Sequence, residues 1–228
     1  METLTRRGQV HHNAQDRVAL AAILLMGDSG LRREEAARAM RLALRPSQHA
    51  KGVWMLTAVG KRSKKRLVPV SPRAVAALRA HWRDLGLDFL NPGEDMPLFS
   101  PVVVPSTLAA LARHGGAAAR PGYTSNAIYA LVKSALTRVR RELEAVDPDA
   151  KAAGVTVEDI EQLARTSPHA FRHTFGSIAV DKDMPLNIVQ EILGHEDSAT
   201  TAIYVKAREK RLAAEAARLY GEVENPEA

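Results

Sequence analysis

The sequence predicts an α+β domain that is mainly helical and carries a small antiparallel β-sheet or hairpin. Three observations lead there. Apolar residues recur at helical spacing in stretches along both halves of the chain. One segment, 53–70, sets β-branched and aromatic residues on either side of a polar turn. Hydrophobic residues make up 46% of the 228, enough to bury a substantial core.

Residues 1–15 read as an N-terminal arm or linker remnant; His11-His12 there has no partner ligands at a metal-binding spacing. Residues 16–26 are apolar nearly all round, through Val18, Leu20, Ile23, Leu24, Leu25 and Met26, which marks a helix buried on several sides. The glycines of Gly27-Asp28-Ser29-Gly30 end it. Arg32 and Glu35 follow, three apart at the start of the next helix, so they share a face and the carboxylate can orient the guanidinium.

In the hairpin, 53–59 and 66–70 flank a polar turn, and five basic residues, Lys61, Arg62, Lys64, Lys65 and Arg66, lie in that turn and at the start of the second strand; Pro69 suits an edge or a strand end. Ser71-Pro72 starts a helix to about residue 85. Residues 86–123 are loop-rich apart from a short segment at Leu98-Phe99. Residues 125–143 form an amphipathic helix with Ile128, Leu131, Ala135, Val139 and Leu143 inward and Lys133, Arg138, Arg140 and Arg141 elsewhere. An acidic, solvated insertion at 144–166 holds a helix at 157–164.

Ser167-Pro168 caps a further helix on which Phe171, Phe175 and Ile178 face the core. His169 and Arg172 lie ~60° apart on the flank of that stripe, close enough to converge on one phosphate. Met184-Pro185 breaks the helix, and 186–193 makes another with Ile188, Val189 and Ile192 inward. Gly194 ends it, so His195 stands just past a helix C-terminus, and Tyr204 lies nine residues beyond. Residues 209–228 give a final amphipathic helix and tail, docking in cis or in trans.

Composition narrows the chemistry. There is no cysteine, so disulfides, cysteine-ligated zinc and thiol catalysis are excluded. No apolar run reaches the ~20 residues of a spanning helix and no signal-type segment follows the N-terminus, so the expected location is the cytoplasm. The net charge of +6 is unevenly spread. Residues 36–83 hold twelve Arg or Lys and no acid, residues 96–141 hold six and no acid, and residues 142–161 hold seven acids against one lysine. Unrelieved positive tracts attract polyanions, which makes nucleic acid the expected partner.

Taken together, Gly30-Leu31-Arg32-x-x-Glu35, Gly60-Lys61-x-x-Lys64-x-Arg66-x-Val68-Pro69-Val70, His169-x-x-Arg172-His173-Thr174-Phe175 and Leu193-Gly194-His195 with Tyr204 resemble the tyrosine recombinase, or phage integrase, family. The similarity runs over 16–208, the family's catalytic domain. On this resemblance, the separate N-terminal core-binding domain of most members is expected to lie outside this chain. The resemblance implies an integrase-like domain that cleaves and rejoins duplex DNA through a 3′-phosphotyrosine bond at Tyr204, as enzymes of phages or mobile elements do. Arg32, Arg172 and His195 match the groups that hold the scissile phosphate, with Glu35 in support. His169 matches a base or proton relay, and Lys61 the general acid, although Lys64 or Lys65 could supply that proton.

Arg62, Lys64, Lys65, Arg66, Lys133 and Arg138 are the expected DNA contacts. The resemblance further implies a homotetramer on DNA, with a monomer in solution, and no metal or nucleotide cofactor. Three rivals stand beside it. A non-catalytic DNA-binding regulator would not need all six catalytic-type residues, and a metal-dependent nuclease would need convergent carboxylates where the acids are instead gathered at 142–161 and the tail. A type IB topoisomerase would share the chemistry. A zinc pair at His169 and His173 lacks both a third ligand and a glutamate between them.

Overall fold

A computed structural model describes residues 13–60, 63–102, 108, 112, 121–145 and 156–194. The chain order is α1 (Ala14–Ser29), α2 (Arg33–Ala37), β1 (Leu44–Pro46), β2 (Trp54–Val59), β3 (Lys65–Val70), α3 (Pro72–Asp84), α4 (Ser125–Ala145), α5 (Val157–Arg165), α6 (Pro168–Asp181) and α7 (Leu186–Leu193). Mainly helical with one small antiparallel sheet, it has the predicted class of fold.

Helix α1 is the centre of the packing. Asn13 caps it by accepting from the backbone N–H groups of Gln15 and Asp16, and every residue from Val18 to Met26 is buried, as an all-round apolar run requires. It packs against α3, α4 and α6. Two charged ties orient these contacts: Arg17 grips Asp84 of α3 at 2.7 Å through both Nε and Nη2, and buried Asp16 accepts from Arg138 of α4. The helix runs through Gly27 and Asp28 and stops only at Gly30, whose left-handed φ of 62° ends it.

The sheet has the order β1-β2-β3, all antiparallel. Strand β1 had no counterpart among the expected elements, because three residues between turns carry no readable alternation. Pro69 lies in the edge strand β3, opposite Met55. Leu56, Ala58, Val68 and Val70 form the buried face, while Leu67 on the opposite face is exposed. Helix α3 begins as predicted, with Ser71 accepting from the N–H of Ala74 and Pro72 in the first turn. Its His81 is buried, which lowers its pKa to about 4 and leaves the ring neutral.

Several inward assignments need correction. On α4, Val132 and Leu136 join Ile128, Ala135 and Val139 in the core, and Leu131 and Leu143 sit at its margin. On α6 the buried face centres on Arg172, Phe175, Gly176 and Ala179; Ile178, ~120° around the helix from Arg172, is 47% exposed. Phe175 keeps its expected inward place, and the buried arginine with Gly176 and Ala179 turns Ile178 outward. Ile188 is also exposed, because the short α7 buries Val189, Ile192 and Leu193 instead. Ser167 precedes α6 without a side-chain capping bond.

Within the acidic segment, α5 is capped by Thr156 and packs on α4 through buried Ile160. Residues 1–12 of the expected arm, residues 146–155 of that segment and the C-terminal helix and tail lie outside the described residues, while Ala14 and Gln15, expected in the arm, already belong to α1. No helix among the described residues is long and apolar enough to cross a membrane.

Candidate active site

Three arginines from distant parts of the chain meet at the C-terminus of α7. Gly194 closes that helix in the left-handed conformation, φ 61°. The last carbonyls of a helix lack intrahelical donors and carry partial negative charge, so they suit cations. Here the carbonyl of Ile192 accepts from Arg66 Nε at 2.8 Å, that of Leu193 from Arg172 Nη2, and that of Gly194 from Arg32 Nη2 at 3.3 Å. Arg172 also donates from Nη1 to the carbonyl of Gly30 at 2.7 Å, which joins α6 to the turn just before Arg32. A carbon added to Gly30 would lie 2.6 Å from Leu193 and 2.7 Å from Phe175.

Glu35 organises the arginines from the other side. Its Oε1 accepts from Arg32 Nη1 at 3.0 Å and Arg66 Nη1 at 2.7 Å; its Oε2 accepts from the Arg32 backbone N–H and Arg66 Nη2, both at 2.8 Å. Four hydrogen bonds use the accepting directions of both carboxylate oxygens. Burial pushes the Glu35 pKa up, but the bond from Arg66, the Arg32 backbone bond and the Arg66 charge outweigh it, and the carboxyl is held below its usual value. Glu35 is 3% exposed as a side chain against 43% for Arg32, so the pair presents a guanidinium to solvent on a buried anionic base.

His169, one turn before Arg172 and exposed, faces His173 across an Nε2–Nε2 distance of 2.9 Å with the rings edge to face. One ring nitrogen must donate and the other accept. Loss of water, then the positive charges of His173, Arg172 and Arg32, hold the His169 pKa below the ordinary histidine value. At neutral pH this ring is uncharged and able to take a proton.

The structure therefore brings Arg32, Glu35, Arg172 and His169 into one neighbourhood. Lys61, Arg62, His195 and Tyr204 lie outside the described residues. Lys64 and Lys65 are exposed at the start of β3. The expectation that Arg66 contacts DNA is at odds with a side chain only 10% exposed and bonded to Glu35 and Ile192. The missed signal was parity: Arg66 shares the inward face of β3 with Val68 and Val70. Lys133 donates to the carbonyls of Ala164 and Thr166, fastening α5 to α4, and Arg138 pairs with Asp16, so both use their charge within the protein.

Residues 120–211 match the model of the phage integrase family. The chain is 31% identical over 153 residues to the tyrosine recombinase XerD of Rhizobium meliloti (strain 1021), covering 67% of this chain and 37% of that protein. It is 29% identical over 212 residues to the tyrosine recombinase XerC of Pelobacter propionicus (strain DSM 2379 / NBRC 103807 / OttBd1), covering 93% of this chain and 53% of that one. The fold resembles the crystal structure of the XerH site-specific recombinase in a post-cleavage complex with palindromic difH substrate, with a TM-score of 0.56, 17% identity, and coverage of 90% of this chain and 46% of that one.

The class is a domain of packed helices around a small sheet, the fold of that site-specific recombinase. In family terms the chain carries a tyrosine recombinase catalytic domain, of the phage integrase family. It spans about a third to a half of the length of the relatives it matches.

Proposed function

We propose that this chain is the strand-cleaving part of a site-specific DNA recombinase acting on duplex DNA. The observation that carries it is the meeting of Arg32 and Arg172 on the last carbonyls of α7, which ends one residue before His195 in the sequence, with His169 one turn before Arg172 on α6. Breaking a phosphodiester concentrates negative charge on the nonbridging oxygens, and guanidiniums fixed in place beforehand stabilise it without reorganisation. Arg32 and His195 hold the scissile phosphate, and Arg172, buried against the carbonyls of Gly30 and Leu193, supplies positive charge from behind them. Tyr204 Oη attacks phosphorus and forms the 3′-phosphotyrosine bond, while His169 takes the phenolic proton, which leaves only reluctantly from a group of pKa near 10. The 5′-oxygen departs with a proton from Lys61, or from Lys64 or Lys65 of the same hairpin. A second 5′-hydroxyl then reverses these steps and joins a new strand. The proposed DNA contacts include exposed Lys64 and Lys65 together with Arg62.

The reading further comprises assembly as a tetramer on DNA and catalysis without a metal ion. The purified protein, given a nicked suicide half-site of DNA in EDTA, is expected to form a covalent adduct that Tyr204→Phe abolishes. An adduct that survives in Tyr204→Phe, or one that needs a divalent metal, refutes the mechanism.

A further inference from the structure

We propose that Arg66 is a positioning residue which aligns three of the catalytic groups with one another and does not touch DNA. The proposal rests on the strand-cleavage reading above. Arg66 points inward because it shares the face of β3 that carries Val68 and Val70. Its Nη1 and Nη2 grip both oxygens of Glu35, and its Nε holds the carbonyl of Ile192.

Each of these contacts falls beside Arg32 or beside a glycine that immediately precedes a proposed catalytic residue in the sequence. Glu35 bonds Arg32 through the same Oε1 that Arg66 uses. Gly194, the residue before His195, lies against Arg66 so closely that an added carbon would sit 3.1 Å from its Cδ and Nε. Gly60, the residue before Lys61, lies against the ion pair, where an added carbon would be 3.4 Å from Glu35 Oε1 and 3.6 Å from Arg66 Nη1. One guanidinium thus sets the distances among the hairpin, Arg32 and the end of α7. A planar fork suits this task because three bonds in fixed directions define an orientation that a lysine would not.

The test uses the full chain as wild type, Arg66→Met, and Glu35→Leu with Arg66→Met. Replacing both members of a buried ion pair by apolar residues restores much of the stability that breaking it removes. Three quantities are measured: unfolding in urea, affinity for a half-site duplex, and the single-turnover rate of adduct formation at saturating DNA. Arg66→Met is expected to slow adduct formation by about 100-fold, the order expected of an ångström-scale misplacement. DNA affinity stays within about threefold, because no phosphate contact is lost. The double variant regains stability and remains slow.

A rate that recovers with stability reduces Arg66 to a structural role and overturns the proposal. So does a loss confined to DNA affinity. If wild type forms no adduct, the strand-cleavage reading has failed, and hydrogen exchange at the Leu193 and Gly194 amides decides the positioning on its own. Faster exchange there in a double variant of undiminished global stability supports it, and unchanged exchange overturns it.

Discussion

Glu35 and Arg66, 31 residues apart in sequence, meet side by side in a parallel pair of hydrogen bonds of 2.7 and 2.8 Å. Because the carboxyl titrates below its usual value when folded, its stabilisation is present above the unfolded pKa of about 4.5 and is lost as pH falls through the folded value. Glu35→Gln is expected to cost about 3–5 kcal/mol at pH 7, since Arg66 loses its charged partner. The gap from wild type narrows toward pH 3. Urea unfolding at both pH values measures it, and a gap equal at the two would refute the assignment.

Gly30 and Gly86 separate two costs of a side chain. Both have positive φ, 62° and 70°, but a carbon at Gly30 collides with Leu193 and Phe175, whereas none would meet an atom within 4 Å at Gly86. Gly86→Ala should lower stability by about 1 kcal/mol, from backbone strain alone. Gly30→Ala should lose about 2–4 kcal/mol by adding overpacking, and should loosen the contact that α1 and α6 make with α7. Equal losses in thermal or urea unfolding would show that the neighbours of Gly30 give way.

His169 should titrate with a midpoint below 6.5, followed by NMR of its ring protons. Water loss and the nearby charges of His173, Arg172 and Arg32 all favour the neutral ring. Half-protonation is therefore reached only below that value, and adduct formation should fall along the same acid limb if His169 accepts the tyrosine proton. Arg32→Ala should move the midpoint upward by removing one positive charge. A midpoint at or above 6.5 in the wild-type protein is the contrary result.

Much of the fold was legible in local patterns. The all-round apolar run of α1, the Ser71-Pro72 start of α3, the hairpin and the glycine end of α7 each depend on residues within a turn or two, where spacing and capping chemistry decide the outcome. Side chains whose partners lie far away in sequence were harder. The inward faces of α6 and α7 depart from the expected stripes at Ile178 and Ile188, because α6 turns Arg172, Gly176 and Ala179 inward and α7 turns Val189, Ile192 and Leu193 inward.

The sequence by itself determined the helical class, the basic character of the chain and the set of residue types from which strand-transfer chemistry can be built. Only tertiary structure decided which arginine faces where. Arg32 stays open to solvent, Arg172 is buried against two carbonyls, and Arg66 turns from the expected DNA surface to a buried carboxylate. The reason is electrostatic and geometric: three guanidiniums converge on the electronegative end of α7, and that convergence exists only once strand, turn and helix have packed together.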